Sequence, residues 1–125
     1  MEPITGPTGE ITGYHAHVYY DETTRAEAAA LREAADNNFK VVLGRWRDMP
    51  VGPHPQAMYQ IAFGVEEFPR LVPWLMLNRG NLAVLVHPLT DDEYEDHRHH
   101  ALWLGAMLPL KLDILKHGPT GPANR

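Results

Sequence analysis

Tyr14-His15-Ala16-His17-Val18-Tyr19-Tyr20 decides the reading of this chain. The run alternates and is rich in aromatic and β-branched residues, so residues 11–20 read as a strand. Successive side chains on a strand point to opposite faces. His15, His17 and Tyr19 therefore share one face, and Tyr14, Ala16, Val18 and Tyr20 share the other.

Outward from this strand, Thr24-Arg25-Ala26-Glu27 has the form of a capping box, in which the two side chains satisfy free amides at a helix start. An alanine-rich helix follows to Ala35, with Asn37-Asn38 as its expected left-handed stop. Residues 39–43 read as a second strand, 49–55 as a Pro/Gly-rich loop, and 57–63 as a third strand. Phe68, Leu71, Val72, Leu75 and Met76 then mark one face of a helix. Pro69 suits its first turn, Pro73 is expected to delay or kink it, and Gly80 ends it. Residues 81–86 form a short fourth strand. The order βαββαβ predicts an α+β, ferredoxin-like sandwich with a short C-terminal extension. In that extension, residues 91–116, the expectation is a short helix and an edge strand over 110–115. Residues 1–10 and 117–125 are turn-rich and read as flexible ends around a domain at 11–116.

Parity extends to the other strands. Leu82, Val84 and Val86 are expected to meet the helices, leaving Ala83, Leu85 and His87 on the open face. Tyr59, Ile61 and Phe63 likewise face the helices, and Met58, Gln60 and Ala62 the open side. In the expected sheet the first strand lies between the third and fourth, parallel to the third and antiparallel to the fourth. His15 then neighbours His87, and His54, just before the third strand, lies at the same edge. His17 stands about 6–7 Å further along the strand.

Bulk properties narrow the function. The chain has 125 residues, 44% of them apolar, which suits one packed domain. Its apolar runs fall short of the ~18–20 residues that span a bilayer. The first residues carry no basic stretch followed by an apolar run, so no secretory signal is read there, and a cytoplasmic location is expected. Cysteine is absent, which excludes disulfides, thiolate nucleophiles and Cys-based zinc sites. The formal charge of −5, with unclustered basic residues, argues against a nucleic-acid partner. Eight histidines are the outlier. A lone strand histidine usually packs or meets solvent; four converging ones suit a metal, because neutral imidazole is a ligand for Fe, Zn, Cu and Ni.

The segments Tyr14-His15-Ala16-His17-Val18-Tyr19-Tyr20, Gly52-Pro53-His54-Pro55, Val86-His87-Pro88-Leu89-Thr90, and Asp96-His97 leading to Ala101-Leu102-Trp103-Leu104-Gly105 together resemble the DOPA 4,5-dioxygenase family, which includes bacterial members. The resemblance covers about residues 11–115. It implies a ferredoxin-like fold and extradiol opening of a catechol, such as L-DOPA, by non-haem Fe(II) and O2. His15, His17, His54 and His87 match its motifs. We expect His15, His54 and His87 as metal ligands, with His17 as a ligand or as the catalytic proton carrier. Three protein ligands leave positions for a chelating catecholate and O2. No Asp or Glu lies inside the motifs, and Asp48 is a distant candidate, so zinc or an all-histidine site stays open.

Arg45 is expected to hold a substrate carboxylate, Tyr19 to stack on the catechol ring and Gln60 to hydrogen-bond the ligand. Arg47, Trp46 and Tyr59 are weaker candidates for such roles, with solvent or core packing as their ordinary alternatives. His97, His99 and His100 read as a solvated helix, and His117 as part of the tail. The open face, with Met58, Ala62, Ala83 and Leu85, is expected to be covered by a second copy in a homodimer. The competing reading is a non-catalytic dimeric module that binds a metal or small molecule.

Overall fold

In the computed structural model, which describes residues 10–117, the histidine strand lies at the centre of a five-stranded sheet. The chain runs β1 (Tyr14–Tyr19), α1 (Arg25–Asn38), β2 (Val41–Leu43), β3 (Met58–Phe63), α2 (Phe68–Asn78), β4 (Val84–Pro88), α3 (Glu93–His97) and β5 (Leu102–Leu104). The strand order is β2-β3-β1-β4-β5. This is the expected α+β sandwich. The loose ends expected at residues 1–9 and 118–125 lie outside the described residues.

Every strand pairing is antiparallel, including β1 with β3, where Tyr14 faces Phe63 and Tyr19 faces Met58. The parallel pairing expected for the first and third strands is therefore corrected. Two interleaved crossovers make β1 parallel to β2 and β3 parallel to β4, so neighbours in the sheet are antiparallel. The start of β3 consequently lies at the far end of β1 from His15.

Strand parity holds. Ala16, Val18, Tyr59, Ile61, Val84 and Val86 are buried with Leu31, Leu71 and Leu75 of the helices. Burial of each of these large side chains is worth about 1.5–3 kcal/mol. Several boundaries differ from expectation. Thr24 makes no capping bond; its hydroxyl donates to Asp21 and accepts from the Asp21 amide. Helix α1 runs through both asparagines and ends at an extended Phe39, without a left-handed residue. Pro73 sits inside α2 on an exposed face, and Gly80, at φ +60°, turns the chain toward β4. The edge strand is β5, not residues 110–115, where a short 3-10 turn at Leu112–Ile114 stands instead.

The open face is covered by this chain itself. Ala101, Trp103, Leu108 and Leu110 pack on Tyr19, Met58 and Leu85. Met58 and Leu85 are thereby buried within one copy. Of the patch from which a homodimer was expected, Met58, Ala83 and Leu85 thus pack against the chain's own residues 101–110. Among the described residues, no helix is long and apolar enough to cross a membrane.

Candidate metal centre

Two adjacent central strands present the histidines. His15 stands directly opposite His87, and His17 opposite Leu85, across the β1–β4 pairing. The ligand nitrogens of His15, His17 and His87 all lie within 4.8 Å of one another. His17 Nε2 and His87 Nε2 are 3.0 Å apart. Two nitrogens bound at right angles to one cation, each at about 2.1 Å, would stand about 3.0 Å apart. His87 Nδ1 lies 2.9 Å from the Pro88 carbonyl and donates to it, which leaves the Nε2 lone pair directed into the cluster. His17 Nδ1 is buried with no hydrogen-bond partner. The donor set, three imidazoles with ligand nitrogens turned toward one another, fits a divalent transition metal.

His54 reaches the cluster from a loop. Gly52 takes φ +57°, a backbone state that favours glycine, and the His54 amide donates to the Val51 carbonyl. The Lys111 amide donates to the Pro53 carbonyl at 2.8 Å, so the C-terminal segment holds this loop over the sheet. The His54 ring then lies 4.3 Å from that of His17. His54 Nδ1 is 2.7 Å from the Tyr19 hydroxyl, which fixes the ring and leaves Nε2 free of that bond. His54 is not in the tightest three-nitrogen group, which is made by His15, His17 and His87.

Burial sets the protonation state. His17 is held well below the usual histidine pKa by burial, and further by His87, His54, His15 and His97 around it. His54 is lowered to about 4 by burial, with His97 and His15 adding to it. Both rings are therefore neutral near pH 7, the form that binds metal and accepts protons.

Sequence reasoning missed His97. It is buried at the end of α3, 4.0 Å centroid to centroid from His87. Asp92 caps the helix by accepting from the Glu95 amide. The fully buried Asp96 accepts from both the amide and the hydroxyl of Thr90. His97 Nδ1 donates to the Glu93 carbonyl at 2.8 Å. The available signal was Asp96-His97 within the family-like segments. The solvated reading holds for His99, His100 and His117, which are exposed and lie beside Glu95, Asp96 and Asp92.

Glu93 lines a small cavity of about 130 Å³ together with His15, His17, His54, His87 and His97. It is the carboxylate residue at this cavity. Asp48 is corrected: it is held by Tyr20 at 2.6 Å and Arg25 at 2.9 Å, and it lines another cleft. Next to the histidines opens a cleft of about 340 Å³, lined by His17, His54, Gln60, Met58, Arg45 and Arg47 among others. Gln60 borders both spaces. Tyr19 does not face a substrate: it is 1% exposed, stacks on Trp103 at 5.9 Å and positions His54. Tyr59 is fully buried and donates to the Ala28 carbonyl, and Trp46 packs against Tyr20 and Tyr59 on the helix side.

A ferredoxin-like sheet that gathers histidines beside a cleft defines a small α+β protein with a cluster that could hold a metal ion. Comparison with known proteins makes this specific. Residues 14–114 match the model of the Dopa 4,5-dioxygenase family, and the chain belongs to that family. It is 39% identical over 112 residues to the "DOPA 4,5-dioxygenase" of Amanita muscaria, covering 82% of this chain and 49% of that protein. It is 35% identical over 129 residues to an "Uncharacterized 21.2 kDa protein" of Botryotinia fuckeliana, covering 92% of this chain and 70% of that one. A crystal structure of a "putative dioxygenase" from Nostoc punctiforme superposes with a TM-score of 0.87 at 52% identity, over 88% of this chain and 96% of that one.

Proposed function

We propose that this protein is a dioxygenase that opens the ring of a catechol by extradiol cleavage, using O2 and a non-haem Fe(II) held by His15, His17 and His87. The observation that carries the reading is the convergence of those three ligand nitrogens within 4.8 Å on an open sheet face beside a cleft of about 340 Å³. Membership of the Dopa 4,5-dioxygenase family supports the reaction class. In this reaction one ring carbon–carbon bond breaks and both atoms of dioxygen enter the product. When bound, the metal would bring catecholate and dioxygen together, stabilise the catecholate's negative charge and let electron density pass from the ring to dioxygen.

The chain's own residues supply the rest. His54, whose ring lies 4.3 Å from that of His17 and borders the cleft, takes the proton that a catechol hydroxyl must lose on binding. Tyr19 keeps that ring in place through Nδ1, so the opposite nitrogen can work. Gln60, paired across from His17 in the sheet, offers a hydrogen bond to the ring oxygens. Trp103, Leu108 and Leu110 keep water from the sheet face behind the rings.

The test is anaerobic loading with Fe(II), then a panel of catechols and oxygen. A yellow ring-opened product, formed with one O2 consumed per catechol, is expected. Absence of both oxygen uptake and product across the panel overturns the reading and leaves a binding module.

A further inference from the structure

We propose that Arg45 and Arg47 select catechols whose side chain ends in a carboxylate and carries no ammonium group. This rests on the dioxygenase reading above and names the substrate class of the same site. The other guanidinium groups among the described residues are engaged. Arg25 pairs with Asp48 and lies over Trp46, Arg70 pairs with Glu67, and Arg32 and Arg79 donate to carbonyls. Arg98 lies over Tyr94. Arg45 and Arg47 have neither an ion pair nor a side-chain hydrogen bond, and both line the cleft that also holds His17 and His54. The carboxylate nearest in sequence, Asp48, is turned into a different cleft by Tyr20 and Arg25.

The backbone explains the placement. After β2 the chain stays beside β3: the Gly44 amide donates to the Gln60 carbonyl, and Arg47 pairs with Met58. A Cβ at Gly44 would stand 3.2 Å from the Gln60 side chain, so glycine lets the arginine segment lie close to the sheet. The backbone thus places Arg45 and Arg47 along the cleft, which has no Asp or Glu in its lining. Glu93 belongs to the adjoining cavity with His15, His87 and His97. With the catechol oxygens at the histidines, the side chain projects toward the arginines. There a carboxylate forms charge-assisted, bidentate bonds. An ammonium on the neighbouring carbon meets the same positive field and has no counter-charge.

The experiment titrates one aromatic ring with four side chains: dihydrocaffeate, L-DOPA, 4-ethylcatechol and dopamine. Binding to the Fe(II)-loaded protein is followed anaerobically by calorimetry, and oxygen uptake is measured afterwards. Dihydrocaffeate should bind about fivefold more tightly than 4-ethylcatechol, the upper end for one ion pair at an exposed site. L-DOPA should fall below dihydrocaffeate, and dopamine should be weakest. In R45Q/R47Q the dihydrocaffeate to 4-ethylcatechol ratio should collapse to about one. An order that ignores side-chain charge, or a double variant that keeps the ratio, overturns the proposal and leaves the dioxygenase reading intact. Charge-ordered binding without oxygen uptake by any of the four overturns the dioxygenase reading instead. No binding by any of the four overturns both.

Discussion

Acidifying the metal-free protein from about pH 7.5 to about pH 5 is expected to remove about 2 kcal/mol of folding free energy through His54, with His17 acting in the same direction. Both rings titrate lower in the folded chain than in the unfolded one. The unfolded state therefore binds more protons below the ordinary histidine pKa, and stability falls as pH falls through that window. An unfolded ring of pKa about 6.5 gains about 2 kcal/mol from protonation at pH 5, since each pH unit is worth about 1.4 kcal/mol. His54, lowered to about 4, stays mostly neutral in the folded protein there, and His17 also lies well below the usual value. His54 does not recover that gain, and burial of His17 works in the same direction. For a domain of this size Tm moves roughly 4 °C per kcal/mol, so the His54 share alone should lower the midpoint by about 8 °C. Urea unfolding of chelator-treated protein, followed by tryptophan fluorescence across this pH range, gives the slope. H54Q should remove about 2 kcal/mol from it. A stability profile that changes by less than about 1 kcal/mol over the range would refute the claim that burial holds these rings neutral. So would an H54Q slope equal to that of the parent.

Other outcomes follow from the same contacts. H15A and H87A should each lower metal affinity by more than about 100-fold, read by metal analysis after dialysis, since loss of an orienting partner alone costs 10–100-fold. Y19F removes the hydroxyl that holds His54 and should cost about 1 kcal/mol of stability. Its kcat should fall about tenfold with metal content unchanged, which separates positioning from ligation. L85A empties a fully buried position between Tyr19 and Met58 and should cost about 2–5 kcal/mol in denaturant unfolding. D96A leaves the Thr90 amide and hydroxyl without their acceptor and should loosen α3, which amide hydrogen exchange at residues 93–97 would report as faster.

Strand faces were legible because side-chain alternation is local: His15, His17 and His87 could be placed on one face from residues alone. Pairing direction was not legible, because periodicity carries no sign. The antiparallel β1–β3 pair follows from interleaved crossovers, which only the assembled fold specifies. His54 was placed at the site by an argument that used the wrong direction. It arrives there because Gly52 turns the loop and Lys111 ties Pro53 down, contacts between segments far apart in the chain. His97 escaped because α3 has five residues, too few for an apolar period to register. Its burial comes from the Asp92 cap and the Asp96–Thr90 bonds. The apolar patch was legible but its packing against residues 101–110 was not, since nothing local says that this segment returns over it.

The absence of a carboxylate from the three-histidine group gains a physical reason from the charge of the cleft. Three neutral imidazoles leave the whole positive charge of a bound divalent ion uncompensated, whereas a ligating carboxylate would cancel part of it. An anionic catecholate can then supply the missing negative charge itself. Arg45 and Arg47 extend that positive field from the histidines to the mouth of the cleft. Attraction at such an exposed rim is screened by salt, while attraction deep in the cleft is screened less. In the proposed function the arginines would therefore act on which side chain enters, and the histidines on the ring that follows it. This division also accounts for the position of Glu93, in the cavity on the histidine side and outside the lining of the arginine cleft. A carboxylate between Arg45 and Arg47 would have neutralised the feature that distinguishes one catechol from another.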